Sequence, residues 1–388
     1  MMYLIDGKIL TMAGNRWERG YIRFNRGKIQ ALGDMAEFSG DGKSEEILDV
    51  KGAWVLPGLI DAHCHVGIAE EKGGLIVDDS NEATNPLTPG LRAIDGINPM
   101  DPAFHDAIGA GITSLMTGPG SSNVVGGQSV FLKTRGRVID DMIVKAPAAM
   151  KVAFGENPKT NYGQKDQMPG SRMGIGAMLR EELFKARIYR EKKERGDLEE
   201  EDFHMECYLP VLKKEIPLKA HVHRADDILT AIRIAKEFDV DMTLDHCTEG
   251  FLIGEEIRKS GFPAIAGPLL TSRSKIEVKY LDFKNVGVLN RAGVKTAIMT
   301  DHPVSLIQYL PLCAGLSVKH GLDMEEGFLA MTRYPAEICG VAHRVGTLEP
   351  GKDADIAVFS GNPMEVFTRT LFTIIDGEIV YRDEDLNF

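Results

Sequence analysis

The sequence has little cysteine, little tryptophan and no surplus of positive charge. Five cysteines, Cys64, Cys207, Cys247, Cys313 and Cys339, are scattered through 388 residues, an odd number with no Cys-x-x-Cys pair. That argues against a disulfide framework and for a reducing compartment. Lys and Arg number 45 against 57 Asp and Glu, a net charge of -12. Acidic chains bind nucleic acid and anionic membrane poorly, so neither is an expected partner. No apolar run is long enough to span a bilayer. Met1–Gly7 lacks the basic and then apolar character of a secretory leader, so the cytoplasm is the expected location. Repeats and low-complexity tracts are absent too.

What is present suits a large globular fold. Hydrophobic residues make up 43% and charged residues 26%, ordinary for a folded protein that can bury a core without staples. Both ends read as short strands between turns. At the front these are Tyr3-Leu4-Ile5, Lys8–Met12, Gly20–Phe24 and Lys28–Leu32, broken by Asp6-Gly7 and Asn25-Arg26-Gly27; at the back they are Asp355–Phe359 and Phe372–Tyr381. Neither end can bury a good core alone. Residues 1–57 and 347–388 are therefore expected to form one small β-sandwich.

Residues 58–346 alternate strand and helix. Asp101-Pro102 reads as an N-cap followed by proline at the first helical position. Ile112–Met116, Leu218–His221, Met242–His246, Pro263–Ala266 and Val294–Thr300 read as strands, and Asp227–Phe238, Gly250–Ser260 and Asn285–Ala292 as helices. Mostly apolar strands alternating with helices indicate a parallel sheet covered on both faces. Their number suits an α/β fold of the (β/α)8 TIM-barrel type, with an open doubly wound sheet as the alternative. The densely charged residues 181–202 read as a solvated helix and loop.

The chemistry lies at the strand ends. Asp61-Ala62-His63-Cys64-His65 follows an apolar run, and residues two apart on a strand face the same side, so His63 and His65 can converge on one ion. His221 ends a strand, His246 ends the next, and Asp301 follows the last. In a parallel barrel these ends share one rim, where active sites lie. Cys64 and Cys247 should point away and pack as inert thiols. His223 and Arg224 are candidate substrate contacts. Two rim loops, 78–92 and the glycine-rich 118–129, are candidate lids or substrate contacts.

With Leu56-Pro57-Gly58-Leu59-Ile60-Asp61-Ala62-His63-Cys64-His65, His221, His246, Asp301 and the tail Gly346–Asp355, the chain resembles the amidohydrolase superfamily of metal-dependent hydrolases, on the side of imidazolonepropionase and some metallo-dipeptidases. The resemblance implies a distorted (β/α)8 barrel with a sandwich from both termini, and one or two divalent metal ions. Zinc suits these ligands first, with manganese, iron or cobalt as alternatives. By motif, His63 and His65 would hold the first metal, and His221 and His246 a second or, in mononuclear members, share out between metal and substrate. Asp301 would bind metal and act as general base. Lys151, carboxylated, or Glu156 would bridge the two. The implied reaction is hydrolysis of a small-molecule amide: an imidazolone-type ring, a dipeptide or an N-acyl amino acid. Relatives are commonly homo-oligomers. Heterocycle deamination at a single metal is the alternative, weakened because Val222-His223-Arg224 follows His221 where deaminases carry a His-Ala-x-Glu shuttle. A non-catalytic scaffold is disfavoured by the complete ligand set.

Overall fold

The structure is a computed structural model that describes residues 1–40, 46–71, 76 and 78–384. Sixteen strands fall into two sheets among these residues. The first sheet contains β1 (Met2–Leu10), β2 (Arg16–Asn25), β3 (Lys28–Asp34), β4 (Glu46–Asp49) and β5 (Trp54–Pro57). The second contains β6 (Leu59–Cys64), β7 (Ile112–Thr117), β8 (Val125–Lys133), β9 (Ile143–Ala153), β10 (Leu218–Val222), β11 (Met242–His246), β12 (Ala264–Ala266) and β13 (Thr296–Ile298). β14 (Ile356–Phe359), β15 (Thr370–Ile375) and β16 (Glu378–Arg382) return to the first.

The two chain ends share that first sheet. β14 runs antiparallel to β5, with Ile356 opposite Pro57 and Phe359 opposite Trp54, while β5 pairs in parallel with β1. In β2, Ile22 and Phe24 are buried while Tyr21 and Arg23 are half-buried, the alternation of a strand with one covered face. Leu4, Ile9, Ile22, Phe24, Ile29 and Val55 meet Ile356, Val358, Phe372 and Ile374 in one core, so neither end supplies it alone. Residues 41–45 and 385–388 of the expected sandwich lie outside the described residues.

The second sheet rolls into a nearly closed barrel in the order β6 to β13. β6–β7 and the run β9–β13 pair in parallel, and β7, β10, β11, β12 and β13 are buried along their whole length, as strands covered by helices must be. Closure is made beyond the strand ends. Asp301 N–H donates to His63 O (3.1 Å) and His65 N–H to His302 O (2.9 Å), while Ile60 of β6 and Ile298 of β13 donate to Met331 O and Ala330 O.

The expected distortion has a definite place. β8 runs antiparallel to both β7 and β9. Its path needs glycine at Gly127, which has φ +123° and where a Cβ would sit 2.6 Å from Leu91 O. The expectation of a loop over 118–129 is corrected accordingly, since from Val125 onward the chain is strand. Residues 181–202 are helix and then loop, mostly exposed as expected, but with one packed face. They fall largely in the helix Arg172–Arg195, capped by Ser171 at its start and by left-handed Gly196 at its end, and Leu183, Ala186 and Tyr189 are buried. The buried Glu182 carboxylate accepts from the Tyr208 hydroxyl (3.1 Å) and meets His204 Nε2 at 2.6 Å. The charge density hid a packed face.

A buried ion cluster joins barrel to sandwich. Lys133 at the end of β8 contacts Asp355 (2.5 Å), Asp353 (2.9 Å) and Asp376 (3.4 Å), while Lys28 and Arg344 also hold Asp353. The Gly346–Asp355 tail is thus the joint between the two sheets.

Candidate metal centre

β6 presents its histidines at the closed rim. His63 Nδ1 lies 2.7 Å from Asp245 Oδ2, and His65 Nδ1–H donates to Gly118 O (2.8 Å). Both rings are thereby turned so that Nε2 faces Asp301, whose Oδ1 is 3.2 Å from His63 Nε2 and 3.3 Å from His65 Nε2. Asp61 locks the arrangement from below. It accepts from His63 N–H (3.1 Å), Thr300 N–H (3.1 Å) and the Thr300 hydroxyl (2.5 Å), tying the two strands that carry His63 and Asp301.

The second group comes from β10 and β11. His246 Nδ1–H donates to Gly267 O (2.9 Å), and His223 Nδ1 pairs with the Thr248 hydroxyl (2.7 Å). Ring centroids of His221, His223 and His246 lie 4.3–4.7 Å apart, and one ligand atom from each of the three falls within 4.8 Å of the others. His63, His246 and Asp301 form an equivalent group, so His246 belongs to both. Asp301 (φ +55°) and His246 (φ +72°) take the left-handed backbone region, a strain that folds tolerate mainly at functional sites.

Lys151, on β9, is buried with Nζ 3.4 Å from His63 Nε2. Burial lowers its pKa to about 8. Glu156 opens the helix Glu156–Gly163 and is half-buried; its carboxylate is in neither group of ligand atoms. The Arg224 guanidinium makes two hydrogen bonds to Asp226. Cys64 and Cys247 are buried and donate to backbone carbonyls.

Five further residues complete the surroundings. Asp245, next to His246, also holds Lys219 (3.1 Å), whose Nζ donates to Ala62 O. Glu277, on the segment after β12, lies 3.8 Å from His221 Nε2, 3.7 Å from His223 Nε2 and 2.7 Å from Lys275 Nζ. Gly155 (φ +83°) makes room for it, since a Cβ there would meet Glu277 Oε2 at 2.8 Å.

The electrostatics fit a bound cation. Burial pushes the imidazoles toward their neutral, ligating form: His221 to about 4, His223 and His246 well below the usual value, and His63 down, helped by Lys151 and Lys219. Burial alone would raise Asp301, Asp245 and Glu277. The His63 and His65 rings beside it hold Asp301 well below the carboxylate range; Lys219 and His63 do so for Asp245, and the two imidazoles with Lys275 for Glu277. Most tellingly, Nε2 of His221, His223 and His246 is buried without a hydrogen-bond partner among the described residues. Buried polar atoms are rarely left so, and a divalent cation would satisfy them.

The two rim loops meet beside this centre. Gly120 N–H donates to Ser80 O (2.7 Å), Ser122 N–H to Asn81 Oδ1 (2.9 Å), and Asn123 Nδ2 to Glu82 O (2.9 Å). Between them lies a cavity of about 410 Å³, lined by Asp78, Asp79, Arg92 and Asn123 among others.

A barrel with imidazoles and a carboxylate on its closed rim, and a sandwich built from both chain ends, defines the class of barrel metallohydrolases. Residues 219–381 match the Amidohydrolase family. The crystal structure of an amidohydrolase from Thermotoga maritima MSB8 superposes with a TM-score of 0.94 at 39% identity, over 99% of this chain and 100% of that one. The chain belongs to the amidohydrolase superfamily, whose members act on carbon–nitrogen bonds. It is also 26% identical to the amidohydrolase tasK of Hapsidospora irregularis over 95% of its own length, spanning 41% of that longer protein. Imidazolonepropionase of Maricaulis maris is 23% identical over 88% of this chain and 87% of that one. Among the described residues no helix is long and apolar enough to cross a membrane.

Proposed function

We propose that the chain hydrolyses the amide C–N bond of a small molecule, either a cyclic imidazolone-type ring or a linear dipeptide or N-acyl amino acid. The observation that carries this reading is Asp301 Oδ1 seated between the Nε2 atoms of His63 and His65 at the rim. These three residues would hold one divalent cation. His221 and His246 would hold a second, with Lys151 as the bridging ligand in preference to Glu156. A buried ammonium with an imidazole as its hydrogen-bond neighbour is costly, and conversion to a carbamate replaces that charge with a ligating anion. Zinc suits this donor set first, with manganese, iron or cobalt as alternatives. A cation bound there would polarise the scissile carbonyl and lower the pKa of water enough to give a nucleophile at neutral pH.

The chain's own groups do the rest. Asp301 takes the proton from the attacking water and delivers it to the leaving nitrogen, so that one N–H forms as the C–N bond breaks. Asp245 and the carbonyls of Gly118 and Gly267 keep three imidazoles turned with Nε2 inward. The similarity to imidazolonepropionase supports the cyclic substrates. Residues 1–57 with 347–388 would form one unit and 58–346 the catalytic barrel. Five buried free cysteines support a reducing, cytoplasmic setting.

The test is Asp301→Asn, assayed on dipeptides, N-acyl amino acids and cyclic amides. We expect kcat to fall on the order of 10²–10⁴-fold, with a much smaller change in KM. Unchanged turnover on a substrate the native enzyme cleaves would remove Asp301 from this role.

A further inference from the structure

We infer that His223 is a ligand of the second cation position, which three imidazoles, His221, His223 and His246, build together, with Glu277 as the carboxylate that balances its charge. The inference rests on the reading of the site as a metal centre and assigns it a residue that the motif leaves out. A histidine that contacts substrate needs an open ring nitrogen. His223 is only 4% exposed, and its Nε2 is buried without a partner among the described residues. Thr248 engages Nδ1 at 2.7 Å, which fixes the ring and turns Nε2 toward the same space as His221 and His246. Its ring stacks on His246 at 4.3 Å and 27° and meets the edge of His221 at 4.7 Å.

Three buried imidazoles packed so closely, with three nitrogens unsatisfied among the described residues, form a donor set turned toward one space. One ligand atom from each lies within 4.8 Å of the other two. Glu277 Oε1 stands 3.7 and 3.8 Å from His223 and His221, too far to satisfy either nitrogen by hydrogen bonding. It is near enough to bring a carboxylate to a site whose other donors are imidazoles. Lys275 and the Glu156 N–H anchor that carboxylate at 2.7 and 2.9 Å.

The experiment measures metal per chain in the full-length protein loaded with Zn²⁺ or Co²⁺ and dialysed, for the native chain, His223→Ala and His223→Cys. Two metals in the native chain and one in His223→Ala would support the inference. So would a thiolate-to-cobalt charge-transfer band in Co²⁺-loaded His223→Cys, which reports direct ligation even if the alanine variant folds poorly. Glu277→Gln should then release one of two metals to a chelator with affinity weakened on the order of 10–100-fold. Two metals retained in His223→Ala with unchanged affinity, or no charge-transfer band in a metal-loaded His223→Cys, would overturn it while leaving the metal centre intact. A native chain that takes up no metal at all would instead defeat the reading on which the inference rests.

Discussion

At the scale of single residues, Asp245 joins more of the site than any ligand does. It is fully buried, pairs His63 and Lys219 through Oδ2, and accepts the Thr243 hydroxyl at Oδ1 (3.0 Å). Asp245→Asn keeps the shape but removes the only charge that compensates the Lys219 ammonium at hydrogen-bond range among the described residues. Breaking one partner of a buried pair costs about 3–5 kcal/mol, and loosening an imidazole's outer partner weakens metal binding about 10–100-fold. Chelator competition and thermal unfolding should both register the change, and native metal affinity in the variant would show that Asp245 does not position His63. Sequence alone made the histidines legible and left Asp245 in their shadow. Period two sends neighbours on a strand to opposite faces, so Asp245 and His246 should part. In fact both approach His63, because His246, the last residue of β11, takes a left-handed φ of +72° that swings its ring back over the rim. Glu277 left no signal, since its segment between β12 and the helix Lys284–Arg291 carries no periodic pattern and Lys-Ile-Glu-Val reads like any loop.

At the scale of elements, capping chemistry could be read and strand direction could not. Asp101-Pro102 does start a helix, Pro102–Gly109, with Asp101 Oδ1 accepting from Ala103 N–H (3.0 Å). Its other oxygen accepts from Gly67 N–H (2.8 Å), two residues beyond His65. Asp101→Ala therefore removes a cap, at about 0.5–2 kcal/mol, and strands a buried N–H, at about 1–3 kcal/mol. The melting temperature should fall by several degrees, and hydrogen exchange at Gly67 should speed up more than at the strands. Exchange that stays slow at Gly67 would mean the loop is held by other contacts, such as Asn98 N–H to Gly67 O. The parallel strands announced themselves as short apolar runs between helices. β8 did not, because a glycine pair at its start looks like a turn and side-chain periodicity is the same in either strand direction. The helix Arg172–Arg195 escaped as a packed element because its buried Glu182 is satisfied by Tyr208 and His204, partners more than twenty positions away in the chain.

At the scale of the molecule, the composite sandwich was legible because each end carried strands and neither carried enough apolar residues to cover them. What joins it to the barrel was not, because the Lys133 cluster brings together residues more than 200 positions apart. Asp353 is the hub, held by Lys133, Lys28 and Arg344. Burial would raise its pKa, but the cations outweigh that and set it at about 2, against an ordinary value of 3.8. A carboxylate depressed by folding adds stability that is fully present above pH 3.8 and is lost as pH falls toward 2. The gap corresponds to about 2 kcal/mol, of which about half should be gone by pH 3. Asp355 works the other way in part, because burial raises its pKa despite Lys133. Guanidinium unfolding of the native chain and Asp353→Asn at pH 7 and pH 3 separates the two contributions. The variant should be less stable by about 2 kcal/mol at pH 7, and the difference should narrow at pH 3, since there the native carboxylate no longer gains as much over the unfolded chain. A difference of the same size at both pH values would mean that Asp353 acts by shape and packing at the joint, and that charge does not hold sandwich to barrel.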